Sequence, residues 1–348
     1  MSDKIVVLDA IDQKILAVLA RNSRIATTEL AEIIKHHYPT VRNRIAKLVE
    51  NNVIDYFYPM IQFTGIGIRR CFGIYLSLRD INNEEFNEII KKFVNNPYII
   101  KVYELEKHNI FLMLTTNFIR EARDNMDFIR QACGKNLNSL IAMTPFTIAY
   151  FKKRRFFLQT EIEVPETIKT GYAKLVWKAN NPFVHLTKPV RLNKTDFKIL
   201  NYIKMNAGAS LEDIGKEAGI SNVAVDYKLK KYLKNNLITH FGIEINPEVI
   251  GYTTYLLFLR MGGNTKAKEE LIEYLKKEVK AAYHYYEYIE HWELVITFCV
   301  KNREEIEIIK EDIMKRFGQY IKDNEVLWVK KTYKNEPYPN IELVYPKD

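Results

Sequence analysis

The sequence has few cysteines and no long apolar segment. Only Cys71, Cys133 and Cys299 occur in 348 residues, and none of them forms a CxxC pair. Neither a disulfide framework nor a zinc ribbon is therefore expected, and reduced thiols fit a cytosol best. No stretch reaches the ~18 uninterrupted apolar residues of a membrane span, and no export signal opens the chain. We expect a soluble, cytoplasmic protein without a membrane partner.

Local signatures of catalysis are missing as well. The chain has no H-E-x-x-H metal motif, no glycine-rich phosphate loop and no Ser/His/Asp order, which are the short motifs that carry hydrolytic or phosphate chemistry. We accordingly predict no catalytic residue, no metal site, no cofactor and no enzymatic activity. A formal net charge of +9 permits a nucleic-acid partner but does not require one.

The chain does have an internal repeat. Residues near its start recur 184 positions later without a gap, among them Leu8, Asp12, Ile15 and Lys47, which return as Leu192, Asp196, Ile199 and Lys231. Repeats of 20 to 50 residues stack into solenoids, whereas a unit of this length is a complete set of domains. The protein is therefore predicted to be a fused pair of one module.

The first third of each copy has the pattern of three short helices with a tight turn before the last. In the first copy, Asp9 is placed to cap a first helix and a second helix is expected over 27–34. In the second copy, Gly219 can end a helix in the left-handed conformation and Ser221 can cap the next. The first copy must use Lys35 and His37 at these two positions.

The third helix combines a buried stripe with a polar outer face. Val41, Ile45 and Leu48 share one side, while Thr40, Arg42, Asn43, Ala46 and Lys47 point away from it. This arrangement describes a helix-turn-helix, whose last helix meets phosphates and base edges. A solvated face of a structural helix bundle has the same periodicity, so the pattern alone leaves both interpretations open. The candidate DNA-binding residues are Thr40, Arg42, Asn43, Arg44 and Lys47, with Tyr227, Lys228, Lys230 and Lys231 in the second copy.

The remainder of each copy reads as strand, helix, two strands, helix, strand. In the first copy the strands are expected over 71–78, 102–105, 110–115 and 146–151, and the helices over 84–93 and 119–132. The second copy repeats this order, with strands over 255–261, 285–288, 294–300 and 326–331 and helices over 266–279 and 304–321. The order β-α-β-β-α-β predicts a ferredoxin-like sandwich.

Residues 8–57 resemble the DNA-binding domain of the Lrp/AsnC (feast/famine) family of transcription regulators. The family pattern opens with L-D-x-x-D-x-x-I-L, continues with R-I and L-A, and closes with R-I-x-x-L and G-V-I, and the first copy reads LDAIDQKIL, RI, LA, RIAKL and NVI. The second copy departs from the pattern at Asn193, Gly208 and Lys228. Both copies have asparagine, Asn52 or Asn236, in place of the glycine before V-I.

The resemblance implies a transcription regulator that binds double-stranded DNA through the helix-turn-helix and pairs and senses ligands through the ferredoxin-like domain. The fold class is α+β with an internal duplication. We predict that the two modules pair within one chain as a pseudo-dimer, which can assemble further. The expected domains are 1–62 and 191–246 for the helix-turn-helix, 63–158 and 247–348 for the ferredoxin-like part, and 159–190 for a connector that docks on the protein.

One candidate partner and two alternative functions stay open. In the family, the central hairpin carries a motif close to G-D-Y-D near which amino acids bind, but this chain has EKHN and EHWE there; a small-molecule effector is therefore a candidate partner only. The effector-binding residues are predicted to be His108, Asn109, Trp292 and Glu293. Siroheme decarboxylases, which resemble Lrp/AsnC proteins, use the same two-domain fold and suggest a tetrapyrrole enzyme. A protein-interaction scaffold is the third interpretation.

Overall fold

The computed structural model describes residues 5–150, 157, 170, 172 and 190–345. They fall into two compact units that group the domains by type and not by repeat. One unit comprises Met1–Gly65 and Lys152–Tyr252, and the other comprises Ile66–Phe151 and Thr253–Asp348. Within the described part of the chain, no helix is long and apolar enough to cross a membrane.

The first unit contains both three-helix bundles, as the sequence predicts. Each first helix begins at a capping box: Asp9 accepts hydrogen bonds from the backbone of Ile11 and Asp12, and Asn193 accepts one from Asp196. The first bundle consists of α1 (Ala10–Leu19), α2 (Thr27–Ile34) and α3 (Tyr38–Glu50). The second consists of α6 (Lys194–Ile203), α7 (Leu211–Ala218) and α8 (Asn222–Lys234).

The turn before the last helix also follows the prediction in both copies. Gly219 ends α7 at a φ of 71° and Lys35 ends α2 at a φ of 57°, so the first copy places a lysine in the left-handed region that favours glycine. Ser221 caps α8 by accepting a hydrogen bond from the backbone of Ala224, whereas His37 makes no side-chain cap. The backbone turn is therefore the same although the first copy lacks both preferred residues.

A strand that the sequence analysis did not predict follows each bundle. β1 (Ile54–Ile61) and β7 (Ile238–Ile245) pair with each other in antiparallel register. The backbone N–H of Ser23 donates to the carbonyl of Phe241 at 3.0 Å, and that of Ala207 donates to the carbonyl of Phe57 at 2.9 Å. These four residues are equivalent positions of the two copies. Each bundle thus docks on the strand of the other, and both helix-turn-helix domains belong to one body.

The second unit contains both ferredoxin-like domains in the predicted order. Three of the four expected sandwich strands in the first copy lie at the expected places, and the apolar stripe of α4 packs into the core through Phe86, Ile89, Ile90 and Phe93. The elements are β2 (Arg70–Leu78), α4 (Asn83–Asn95), β3 (Ile99–Leu105), β4 (Ile110–Thr116), α5 (Ile119–Cys133), β5 (Leu137–Met143) and β6 (Pro145–Tyr150), then β8 (Thr253–Arg260), α9 (Thr265–Glu278), β9 (Ala282–Tyr288), β10 (Leu294–Val300), α10 (Arg303–Phe317), β11 (Asp323–Asn335) and α11 (Ile341–Val344).

The last strand of the first copy is the main correction to the predicted fold. The segment expected over 146–151 is β6, of which the structure describes Pro145–Tyr150, and β6 pairs with β9 of the second copy. The strand that completes the first sandwich is β5, which pairs with β2. β5 escaped prediction because its sequence LNSLIAM contains several residues of low strand propensity.

The second copy makes the reciprocal exchange with one long strand. The first part of β11 pairs with β8 of its own domain, and the second part pairs with β3 of the first copy. The nine strands form a single sheet in the order β5-β2-β4-β3-β11-β8-β10-β9-β6. The two ferredoxin-like domains of one chain therefore pair with each other, which is the intramolecular pairing that the duplication predicts.

Candidate nucleic-acid interface

The outer face of α3 is the most open polar surface of the helix-turn-helix unit. Val41 and Leu48 are buried on the inner side, and the four outward residues are exposed. Within the described part of the chain, none of these four side chains makes a hydrogen bond or an ion pair. The residues of this outer face are Thr40, Arg42, Asn43 and Lys47.

Arg44 differs from its neighbours because its guanidinium is already paired inside the domain. It donates to the carboxylate of Asp9 at 2.6 Å and to that of Asp12 at 2.9 Å, which ties α3 to the start of α1. The hydrogen bond to Asp12 raises the pKa of Arg44, although partial burial opposes that change. Arg44 therefore has a structural role in this geometry, and its contact with phosphate stays a prediction.

Lys228 occupies the equivalent place in the second bundle and has the same role. Its ammonium lies 2.6 Å from the carboxylate of Asp196, which is buried and also accepts from the hydroxyl of Tyr232 at 2.5 Å. The opposite charges at positions 12 and 44 thus recur at 196 and 228. The predicted role of Lys228 in DNA binding stays a prediction, as it does for Arg44.

The outer face of α8 has a different composition. Tyr227 is exposed, as predicted, and Val223 is exposed beside it. Lys231 is exposed and makes no ion pair with any described residue, whereas the ammonium of Lys230 lies 2.6 Å from a carboxylate oxygen of Asp226. The two recognition helices therefore offer unequal surfaces.

Asp226 is held from two sides. Its second carboxylate oxygen accepts a hydrogen bond of 2.7 Å from the hydroxyl of Tyr172. Lys230, followed by Tyr172, lowers the pKa of Asp226, so the carboxylate is ionised. Burial raises the pKa of Tyr172, so its hydroxyl keeps its proton and donates it to this bond.

Thr170 and Tyr172 are two of the described residues of the predicted connector, and both contact the helix-turn-helix unit. The hydroxyl and the backbone N–H of Thr170 both donate to Glu29 on α2, the N–H at 2.8 Å. The carbonyl of Thr170 accepts from the side chain of Asn22 at 3.0 Å. The rest of the predicted connector up to residue 189 lies outside the described residues.

Arg24 joins the first bundle to the second, a role that the sequence analysis did not predict. Its guanidinium donates to the carbonyl oxygens of Ala207 at 2.6 Å and Ala209 at 3.2 Å. It also lies 5.6 Å from the ring of Phe241 and 5.9 Å from that of Tyr172, within the range of a cation–π contact. Burial lowers the pKa of Arg24, but the carbonyls and the ring faces compensate for the lost water.

The hairpin-turn residues predicted for effector binding all contact their own unit. Asn109 is buried and donates to the hydroxyl of Tyr75 at 3.0 Å, and the ring of His108 lies 4.7 Å from that of Phe86. Trp292 is buried 5.7 Å from the ring of Phe258. Glu293 accepts hydrogen bonds from the backbone of the loop after β8. Asn109 and Trp292 are linked through Tyr75 and Phe258, whose rings lie 5.6 Å apart, and effector binding by these four residues stays a prediction.

The glutamates at the start of the two turns have a clear structural role instead. Glu106 accepts a hydrogen bond of 3.0 Å from the backbone of Trp328, and Glu290 accepts one of 2.5 Å from the backbone of Thr144. Trp328 and Thr144 are equivalent positions, each at the point where a last strand passes from its own domain to the other. A glutamate in the place of the family's glycine therefore fixes the strand exchange between the two copies.

Known proteins resemble this chain in both of its parts. The model of the AsnC-type helix-turn-helix domain matches residues 8–49, and that of a winged helix-turn-helix DNA-binding domain matches residues 192–239. The HTH-type transcriptional regulator AldR of Mycolicibacterium smegmatis is 30% identical over 132 residues, which are 38% of this chain and 74% of AldR. The HTH-type transcriptional regulator FL11 of Pyrococcus furiosus is 24% identical over 35% of this chain and 80% of its own length.

One solved structure resembles the chain over nearly its whole length. The crystal structure of the siroheme decarboxylase NirDL has a TM-score of 0.60 at 14% identity and covers 93% of this chain and 92% of its own. At this identity the likeness concerns the fold alone. The sequence relatives decide the family, since AldR is 30% identical over 74% of its own length. The chain belongs to the Lrp/AsnC family of transcription regulators.

Proposed function

We propose that this chain is a sequence-specific regulator of transcription in which one polypeptide supplies both helix-turn-helix domains of the DNA-binding unit. α3 enters the major groove, where Thr40, Arg42 and Asn43 face base edges and Lys47 faces phosphate. The cytoplasm is the proposed location. A small-molecule effector is a further candidate partner.

The outer face of α3 is the observation that carries the proposal. Arg and Asn side chains make bidentate hydrogen bonds to guanine and adenine, which requires that their polar groups are not already engaged. Arg42 and Asn43 meet this condition within the described part of the chain, whereas Arg44 does not because Asp9 and Asp12 hold it. A solvated face of a structural bundle gives no reason for one arginine, Arg44, to be ion-paired while its neighbour Arg42 is left without a partner among the described residues.

The joined bundles support the second part of the proposal. β1 and β7 pair along their whole length, and the turn of each bundle docks on the strand of the other. Two reading helices held in one body bind a duplex without the entropy of bringing two chains together. The duplication therefore serves to place two reading helices on one operator.

Substitutions on α3 should separate base readout from phosphate contact. For a duplex selected from a randomised pool, Arg42→Ala or Asn43→Ala should weaken binding by about 1–3 kcal/mol and relax the base preference at one position. Lys47→Ala should weaken binding to all sequences alike and lower the slope of log K against log salt by about one. Fluorescence anisotropy with the selected duplex and with scrambled duplexes measures both effects.

Arg120→Ala is the matched control, because Arg120 is a strongly exposed arginine on α5 and its loss changes the net charge equally. It should leave affinity and selectivity nearly unchanged. If Arg42→Ala and Asn43→Ala behave like this control, α3 does not read bases. If no duplex is enriched from the pool, the proposal of DNA binding itself is wrong.

The fold similarity to NirDL defines the competing function, a tetrapyrrole enzyme. The two functions differ in a property that is simple to measure, because a bound tetrapyrrole changes the visible absorbance of the protein solution. We expect no saturable binding when the purified chain is titrated with siroheme. Stoichiometric binding together with failure to select any duplex would favour the enzyme.

A further inference from the structure

The outward face of α8 is apolar in its first two turns. Val223 is 75% exposed and Tyr227 is 67% exposed. They are four residues apart and therefore lie on one face of the helix, opposite the buried Val225 and Leu229. Val223 and Tyr227 together form a small exposed apolar patch at the start of α8.

The first copy has different residues at the same places. The positions of Val223 and Tyr227 correspond to Pro39 and Asn43 of α3, each 184 residues earlier. Asn43 is one of the proposed base-reading residues. The second copy therefore presents apolar surface where the first copy presents a hydrogen-bonding amide.

The charged residue nearest this face is not available to bases. Asp226 occupies the position of Arg42, but one carboxylate oxygen accepts from Tyr172 at 2.7 Å and the other lies 2.6 Å from the ammonium of Lys230. Both oxygens of the acceptor are thus engaged within the protein. An Asp226 held in this way neither reads cytosine nor faces phosphate as an isolated charge.

The remaining part of the face suits DNA and not an apolar partner alone. Lys231 follows Tyr227 by four residues on the same side of α8 and makes no ion pair with any described residue. In a helix-turn-helix the N-terminal residues of the recognition helix meet base edges, and lysines further along can meet phosphate. The face is also carried on the same body as α3 through the pairing of β1 with β7.

We infer that α8 recognises thymine through its 5-methyl group, with Val223 and Tyr227 packed against the methyl groups in the major groove. The thymine methyl is the apolar group that a base pair presents there, and apolar side chains discriminate by contacting it. This inference rests on the proposed function and adds the chemistry of the second half-site. The operator is then unequal: α3 reads one half by hydrogen bonds, and α8 reads a thymine-containing half by apolar contact.

Replacement of thymine by uracil tests the inference, since it removes the methyl group and leaves base pairing intact. The full-length protein is titrated against the selected duplex with uracil at one position at a time. Burial of one methyl group corresponds to about a fourfold change in affinity, so we expect about fourfold weaker binding at the thymines under α8. Replacement of thymine by uracil in the half-site read by α3 should weaken binding less.

Variants of the two side chains connect the effect to α8. In Val223→Ala and in Tyr227→Ala, uracil substitution under the altered residue should lose most of its effect, whereas Val7→Ala, which changes another strongly exposed valine of the same unit, should leave the full pattern. The inference is wrong if uracil substitution in the second half-site does not weaken binding. It is also wrong if uracil substitution weakens binding of both variants as much as binding of the parent protein. In either case the proposal of DNA binding stands. The inference is likewise wrong if the protein contacts the selected duplex through α3 alone. Failure to select any duplex overturns both the inference and the proposed function.

Discussion

Replacement of Arg24 by alanine is expected to destabilise the helix-turn-helix unit by about 3 kcal/mol. The change leaves the carbonyl oxygens of Ala207 and Ala209 without their donor, at about 1–3 kcal/mol for an unsatisfied buried group. It also removes the cation–π contact with Phe241 and Tyr172, which contributes about 0.5–2 kcal/mol. Hydrogen exchange at the amides of β1 and β7 measures the loss directly, because these strands join the two bundles.

Arg42→Ala is the matched control for this prediction, since Arg42 is exposed in the same unit and has no partner among the described residues. Exposed substitutions of this kind change stability by about 0.5 kcal/mol or less. Equal exchange rates for β1 and β7 amides in the Arg24→Ala and Arg42→Ala proteins would show that Arg24 does not hold the bundles together.

The second large effect is expected in the ferredoxin-like unit, where the two copies contact each other through Gly73 and Tyr288. A Cβ atom at Gly73 would lie 2.4 Å from the hydroxyl oxygen of Tyr288 and 2.8 Å from its ring. Tyr288 is fully buried and has little room to move. Gly73→Ala should therefore destabilise this unit by about 1–3 kcal/mol, the usual cost of an overpacked core.

Two companion variants make the cause of this loss identifiable. Gly318→Ala adds a Cβ that would lie 3.6 Å from the methyl group of Met314, an ordinary contact, and should have little effect. Tyr288→Phe removes the atom closest to the new methyl group, and this hydroxyl has no hydrogen-bond partner among the described residues. The cost of Gly73→Ala should therefore fall in the Tyr288→Phe background. Chemical denaturation followed by tryptophan fluorescence gives the free energies, and equal costs in both backgrounds would rule out this contact.

The helix-turn-helix domains could be predicted from the sequence because their signals are local. The capping carboxylates of Asp9 and Asp12 and the apolar stripe of Val41 and Leu48 all lie within one or two turns of the helices they define. Even the left-handed turn at Lys35 could be placed, since the second copy has glycine there. Periodicity of this kind depends on neighbouring residues only.

The strand pairings could not be predicted because their partners are far apart in the chain. Nothing in the sequence of β1 indicates that it pairs with β7, and nothing in β6 indicates that it leaves its own domain for β9. The same limit applies to Tyr172, whose contact with Asp226 joins positions 54 residues apart. The choice of partner strand depends on tertiary structure, and strand propensity carries no information about it.

The predicted DNA-binding residues stay a prediction, and two of them, Arg44 and Lys228, have ion-pair partners within their own bundles. Helical geometry places Arg44 on the outward side of α3, yet its long side chain reaches the capping carboxylates of α1. A signal was present in the repeat itself, because Asp12 and Arg44 return as Asp196 and Lys228 with their opposite charges kept. Pairs of opposite charge that recur in both copies indicate structure before they indicate a ligand.

The contacts between the two ferredoxin-like domains give a physical reason for the fusion. Where β3 meets β11, the buried carboxylate of Glu104 lies 2.7 Å from the ammonium of the exposed Lys330 and accepts a hydrogen bond of 2.9 Å from the hydroxyl of Tyr333. On β9, at the opposite junction, buried aromatic rings such as Tyr286 and Tyr288 stack instead. Two different junctions do not fit a symmetric pair of identical halves, and a single chain brings the unlike halves together at high effective concentration.

Hydroxyl-radical footprinting of the selected duplex tests the central claim, that one chain places two unequal reading helices on one operator. We predict two protected patches on one face of the duplex, separated by about one helical turn or roughly 10 base pairs. Arg42→Ala should weaken protection in one patch, and the double variant Val223→Ala, Tyr227→Ala should weaken it in the other. A single protected patch, or two patches that respond equally to both sets of substitutions, would contradict the account.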